Sequence, residues 1–445
     1  MKISFCTLGC KVNQYESEVL QELFEAEGYE IVDFAEYSDV AVINTCAVTE
    51  ESSRKSRQMM RRVKNINPNA VVAVIGCLSQ VDSKINLNEA DIVVGNQYKK
   101  RLPEFINEYI NSKNKVIYVD KIRDQNNFDD MRLTKGEHTR AMVKIQDGCN
   151  NFCSYCIIPY ARGPIRSKDI KKAVEEIDGL VKSGCKEVVL TGIHLDNYGM
   201  EHKNFDLCTI LTEIDNLEGL ERIRLSSLEP TFINDENIIV LKNLKHLCPH
   251  YHLSLQSGCN NTLKSMNRHY TSEQYNYAVN LLRKNISDVA ITTDIIVGFP
   301  GETDKDFEES ATFAEKIGFS KIHVFPFSPR KGTKAWDMDD KVDNAEKNQR
   351  SKNLIEISQK SERAFLTSLK NRVMPILFEA GKDGIYSGFT SNYAKIQVTD
   401  FSEFEKVTNT IQNVLIKEVF QGYCSGSIAK IKKMIKLNIN INYGG

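Results

Sequence analysis

Hydrophobic and polar positions alternate along the first 120 residues with two different periods. Short apolar runs (KISFCTL, AVINTCAV, AVVAVIGCL, DIVVGN and KVIYVD) predict strands. Between them, ESEVLQELFEAEGYE and SSRKSRQMMRRVKNIN carry apolar residues at helical spacing, and Gly28 closes the first of these helices. Strand–helix alternation predicts a mainly parallel sheet. Residues 121–138, KIRDQNNFDDMRLTKGEH, are charged and weakly patterned and read as a linker.

A second series follows. AMVKIQ, EVVLTGI, RIRLSS, YHLSLQ, ITTDIIVGF and KIHVFPF predict strands, and most are separated by helical patterns such as KDIKKAVEEIDGLVKSG. These make six strand–helix repeats, short of the eight of a closed (β/α) barrel, so an open partial barrel is expected. A polar helix from about Asn344 to Asn371 leads out of it. The last stretch alternates at strand spacing, is punctuated by glycines and predicts a small all-β domain. The expected fold is therefore α/β: a parallel α/β domain at 1–120, a linker at 121–138, a partial barrel at 139–371 and a small β-barrel at 372–445.

Composition narrows this only a little. The 445 residues suffice for two or three domains, and 41% hydrophobic content is ordinary for a globular chain. No apolar run is long enough to cross a bilayer, and no charged-then-apolar segment precedes the first strand, so a cytoplasmic protein with no membrane partner is expected. The net charge of -1 means that any nucleic-acid surface must be local. Twelve cysteines are too sparse for a disulfide scaffold. In a reducing compartment, clustered cysteines point to metal or catalysis, and single ones to packing.

The cysteines sort into two triplets. Cys149, Cys153 and Cys156 form C-x3-C-x2-C in GCNNFCSYC, directly after a predicted strand. Three thiolates on one loop can ligate three irons of a [4Fe-4S] cluster and leave the fourth iron open to a small molecule. A zinc site would want a fourth nearby ligand, and none follows in this loop. Cys10, Cys46 and Cys77 each stand at or just after the end of a predicted strand. In a parallel sheet those ends share one edge, so three cysteines distant in sequence can meet there. Singly each reads as a core residue; together they favour a second three-liganded cluster. Cys6 lies inside the first strand and reads as packing.

The combination TLGCKVNQYES, NTCAVT, IGCLSQ and GCNNFCSYCIIPYARG resembles the methylthiotransferase family of radical S-adenosylmethionine (SAM) enzymes. TLGCKVNQYE is most similar to the branch acting on N6-threonylcarbamoyladenosine in tRNA. The resemblance runs through nearly the whole chain and implies three domains: methylthiotransferase, radical SAM and a carboxy-terminal TRAM domain. It implies two [4Fe-4S] clusters, an auxiliary one on Cys10, Cys46 and Cys77 and a SAM-cleaving one on Cys149, Cys153 and Cys156. It further implies that SAM is both methyl and radical source, and that a reducing electron donor takes part. The implied reaction places a methylthio group at C2 of the modified adenosine beside the anticodon, making the tRNA anticodon stem-loop the partner. Isopentenyladenosine in tRNA, or an aspartate of a ribosomal protein, would be alternative targets. A non-catalytic iron–sulfur RNA-binding protein is the alternative of another kind.

Further residues are candidates for binding. Gly192 in LTGIH, Gln256 in SLQSG, and Asp294 and Gly298 in DIIVGFPGE stand at barrel strand ends where a SAM pocket is expected. Gly298 and Gly301 would equally serve an ordinary strand-to-helix turn. Arg162 and Arg166 in YARGPIRS could neutralise a substrate or SAM carboxylate, or lie in a solvated loop. Residues 52–65 carry Arg54, Lys55, Arg57, Arg61, Arg62 and Lys64 with no acid, and predict a phosphate-tracking helix beside Cys46. In the last domain Tyr386, Phe389 and Tyr393, beside Lys382 and Lys395, could stack unpaired bases or form core. IAKIKKMIK at 428–436 adds four lysines.

Overall fold

The computed structural model describes residues 1–82, 89–135, 139–202, 204–382, 384–399 and 407–429. Six strands build the amino-terminal domain: β1 (Lys2–Thr7), β2 (Glu30–Val32), β3 (Val40–Thr45), β4 (Val71–Gly76), β5 (Ile92–Val94) and β6 (Val116–Tyr118). They pair in parallel in the order β2-β1-β3-β4-β5-β6. Every residue of β3 and β4 is buried, as befits central strands covered on both faces.

Helix α1 spans Lys11–Ala26 and α2 spans Glu50–Ile66. α1 starts earlier than the apolar periodicity predicts, because Val12 and Tyr15 are buried at its first turn, against polar neighbours. The Thr49 side chain caps α2 by accepting from the Ser52 amide at 3.1 Å.

The central domain has six parallel strands: Arg140–Lys144, Glu187–Thr191, Arg222–Leu225, His250–His252, Ala290–Val297 and Lys321–Pro326. They form two three-stranded sheets. Single parallel bridges, Ile223 to Leu247 and Leu228 to Leu253, join the two sheets into one partial barrel. The polar helix Asn344–Ser368 lies against the last strand, where the Ile322 amide donates to Ser358 Oγ at 3.0 Å.

Five strands close the carboxy-terminal barrel, in the order Val373–Lys382, Ile385–Thr390, Lys395–Val398, Tyr423–Ile428, Ile411–Phe420. Its core is Met374, Ile376, Phe378, Ile396, Val398, Val414, Ile416 and Cys424.

The stretch read as a linker is more than a solvated tether. Met131 and Leu133 are buried in the main core, and the Leu133 amide donates to Glu176 Oε1 at 2.9 Å. Its polar pattern hid two anchoring side chains.

Candidate functional site

Cys10, Cys46 and Cys77 stand at the carboxyl ends of the adjacent strands β1, β3 and β4. Cys46 and Cys77 are buried, while Cys10 is exposed to an open cavity. The thiols bear on one another: burial, and then Cys77 and Cys10, push the Cys46 thiol up to about 11. Gly76 makes this possible. Its φ is +101°, and a Cβ there would stand 2.5 Å from the Thr45 carbonyl oxygen.

One side chain ties two of the strand ends, those of β1 and β3, together. Asn13 Nδ2 donates to Leu8 O at 3.2 Å, to Asn44 Oδ1 at 3.1 Å and to Thr45 O at 3.0 Å. Its Oδ1 lies 3.5 Å from Cys10 Sγ and accepts from Arg162 Nη2 at 2.8 Å.

Arg162 is fully buried, and both readings of it as a carboxylate-neutralising or solvated loop residue are corrected. Its Nη1 donates to Glu16 at 2.8 Å and to Asp147 at 3.2 Å, and its Nε lies 3.4 Å from Cys77 Sγ. Lys99 and Lys144 also bind Glu16. Burial would raise the Glu16 carboxyl, but Arg162, Lys99 and Lys144 outweigh it and hold it well below the carboxylate range. Arg166 is buried too, donating to Gln125 O at 3.3 Å and Pro164 O at 3.2 Å.

Cys149, Cys153 and Cys156 share one loop after the strand Arg140–Lys144. Gly148, at φ +75°, lets the loop pass so close to Pro164 that a Cβ would stand 1.8 Å from its carbonyl oxygen. Ser154 Oγ donates to Ser265 O at 2.7 Å, and Asn267 Nδ2 donates to the Asn151 and Phe152 carbonyls at 3.2 Å. Arg268, paired with Glu229 at 2.6 Å, sets its Nη1 3.4 Å from Cys153 Sγ. Burial, then Cys153, push the Cys156 thiol up to about 12.

These donor sets fit iron–sulfur clusters. Each is three sulfurs held by backbone and amide bonds, with an arginine N–H aimed at one sulfur.

A cavity of about 710 Å³ lies where the three domains meet. Cys10 and Lys11 line it from the first domain, Thr191, Gly192 and Asp294 from the barrel, and Tyr393 from the last domain. Gly192 is approached closely, since a Cβ would stand 2.7 Å from Gln146 Oε1. Gln256 and Gly298 do not line the cavity. Gln256 adopts φ +66° and bonds through its backbone to Asp294 and Ile296. Gly298 lies under Lys347, whose Cγ would be 2.1 Å from a Cβ there.

The aromatics of the last domain face inward. Phe389 and Tyr393 stack at 4.9 Å, Arg140 and Arg224 lie over the Tyr393 ring at 5.2 and 4.4 Å, and His250 packs 4.8 Å from it. Tyr386 packs against the small barrel's core. The hairpin tip thus plugs the amino-terminal mouth of the partial barrel, with Arg222 donating to Phe389 O at 2.9 Å and to Pro375 O at 2.8 Å. Ring faces expected to stack bases are occupied by arginines.

The basic helix is less bare than its sequence. Glu51, just outside the run, binds Arg54 at 2.7 Å and sits 3.9 Å from Lys55; Glu89 binds Arg61 at 2.6 Å, and Asp91 binds Lys64 at 2.9 Å. Among the described residues, Arg57 and Arg62 have no carboxylate partner. The lysines of 430–436 lie outside the described residues.

Sequence reasoning missed Lys11, Asn13 and Arg268. Lys11 and Asn13 sit within TLGCKVNQYES, where the nearness of Cys10 was the available signal. Arg268 lies far from its cysteine in sequence, so no local pattern marked it.

Residues 143–314 match the Radical SAM superfamily, and residues 2–95 match "Uncharacterized protein family UPF0004". The threonylcarbamoyladenosine tRNA methylthiotransferase MtaB of Bacillus subtilis (strain 168) is 39% identical over 438 residues, covering 96% of each chain. The MtaB of Aquifex aeolicus (strain VF5) is 39% identical over 92% of this chain and all of its own. The tRNA-2-methylthio-N(6)-dimethylallyladenosine synthase of Thermoanaerobacter sp. (strain X514) is 34% identical over 96% of this chain and 92% of its own. Among solved structures, the radical SAM methyltransferase TsrM from Kitasatospora setae shares the fold. Its TM-score is 0.56 at 16% identity, over 75% of this chain and 77% of that one.

Proposed function

The chain belongs to the radical SAM tRNA methylthiotransferase family, and from that premise we propose that it places a methylthio group at C2 of N6-threonylcarbamoyladenosine beside the tRNA anticodon. The observation that carries the proposal is the shared cavity. Cys10 forms one wall, and the ends of barrel strands next to the Cys149 loop form another. A volume of about 710 Å³ suits one modified nucleoside.

Cys149, Cys153 and Cys156 would hold one [4Fe-4S] cluster, and Cys10, Cys46 and Cys77 the other. When bound, these groups and SAM supply the one-electron chemistry and the sulfur that an aromatic C–H position requires. The chain's own residues do the rest. Gly192 and Asp294 line the SAM side of the cavity, and the strand end at Gln256 supports it. The carboxy-terminal hairpin covers the amino-terminal mouth of the barrel. Arg54, Lys55, Arg57, Arg61 and Arg62 form a basic face for the phosphates of the stem-loop, with Arg57 and Arg62 free of carboxylate partners among the described residues. Among the described residues no helix is long and apolar enough to cross a membrane. We place the reaction in the cytoplasm, with a reducing electron donor.

Mass spectrometry of nucleosides from total tRNA tests this, comparing a strain lacking the protein with its parent. Loss of the methylthiolated threonylcarbamoyladenosine alone is expected. Loss of the methylthiolated isopentenyladenosine instead would overturn the substrate and keep the reaction class. No change in any tRNA nucleoside would redirect attention to a protein target.

A further inference from the structure

The cavity walls carry several charged groups, and most are matched inside the chain. Asp294 sits 3.3 Å from His252, and Lys321 is 3.2 Å from Glu362. Lys11 and Lys395 differ: among the described residues neither ammonium has a hydrogen bond or ion pair, and Lys11 is the one that lines the cavity beside Cys10. The carboxylate whose field reaches it, Glu187, is already claimed by Arg224 at 2.7 Å, Arg140 at 2.8 Å and Arg222 at 3.7 Å. A cation that lines a cavity without its own counter-ion is suited to an anionic ligand.

We infer that Lys11 reads the carboxylate on the N6 substituent of the target adenosine, which makes it a specificity-determining residue. The inference rests on the substrate proposed above. In adenine only N1 separates C2 from C6. A urea on N6 can close a hydrogen-bonded ring onto N1, which carries the amino-acid carboxylate round to the N1/C2 edge. The carbon to be modified must face Cys10, so the carboxylate arrives beside the residue that follows Cys10. An isopentenyl group in the same place would leave Lys11 beside an apolar group with no counter-ion. The residue thus selects for one substituent and against the other.

Binding of anticodon stem-loops to the reconstituted protein tests this. The probes carry threonylcarbamoyladenosine, its methyl ester, or isopentenyladenosine. Wild-type protein is expected to bind the free carboxylate about tenfold more tightly than the ester, which is the scale of one charge-assisted bond. Lys11→Gln is expected to erase that ratio while the affinity for the ester stays put, and Lys11→Arg to keep the ratio. Iron content establishes that each variant holds its clusters. If Lys11→Gln does not, Lys11→Met serves as the neutral variant. A ratio that survives loss of the lysine charge overturns the inference, as does one erased by Lys395→Gln on the facing wall instead. If wild-type protein does not prefer threonylcarbamoyladenosine to isopentenyladenosine, it is the substrate proposal that fails.

Discussion

Within the motif at the start of α1, successive side chains have different jobs. Lys11 faces the cavity, Asn13 ties the ends of β1 and β3, Tyr15 donates to Met131 O at 2.6 Å, and Glu16 anchors Arg162. Asn13 is the sharpest test of this division. Asn13→Ala removes its bonds to Leu8, Asn44 and Thr45 and leaves buried partners unsatisfied, a loss of about 1–3 kcal/mol for each group so stranded. The strand ends that carry Cys10 and Cys46 would then no longer be held in register. Purified Asn13→Ala protein should contain about half the iron of the wild type, with the Cys149 loop still loaded. Full iron content would show that the sheet alone positions the thiols. Cys77→Ala should give the same iron deficit, because two remaining thiolates cannot hold that cluster.

At the scale of the element, the turn between β4 and Cys77 depends on a conformation only glycine adopts freely. Gly76→Ala forces a side chain to φ +101° and into the Thr45 carbonyl at 2.5 Å, a cost of at least 1–2 kcal/mol. The expected result is a lower unfolding temperature and a partial loss of auxiliary iron; a variant matching wild type in both would refute the turn's role. This turn also shows what the sequence could reveal. Cys149, Cys153 and Cys156 were legible because one loop contains them. Cys46 and Cys77 became legible once strand ends were assigned, since a parallel sheet brings them to one edge. Arg162 was not legible. Its partners Glu16 and Asp147 lie 146 and 15 residues away, and no local period links them. Phe389 and Tyr393 had the composition of a stacking platform, yet the arginines that cover them lie on strands of another domain. Which domain faces which is set by long-range packing, and there the pattern of apolar and polar residues is silent.

Buried charge helps to join the domains, with Glu16 and Arg162 at one junction and Glu187 with three arginines at a second. The second junction holds the carboxy-terminal barrel against the mouth of the partial barrel. Arg140 binds both Glu187 and Glu379, and Arg224 reaches Glu187 and the Ser391 carbonyl. Burial alone would raise the Glu187 carboxyl, but Arg224, then Arg140 and Arg222, bring it down from the ordinary 4.5 to about 2. A depressed carboxyl contributes stability that is fully present above its unfolded value and is lost as pH falls through its folded value. For Glu187 the window runs from about 4.5 down to about 2, and the contribution above it is ~3 kcal/mol. Glu187→Gln should therefore weaken docking at neutral pH by about 3–5 kcal/mol, because Arg140, Arg222 and Arg224 lose their shared counter-charge. Limited proteolysis between the two domains measures this as faster release of the carboxy-terminal fragment. The gap between wild type and variant should hold constant from neutral pH to about 4.5 and then close as the wild-type carboxyl takes up its proton. A gap that stays open through the whole acid range would mean that the carboxylate charge does not hold the two barrels together.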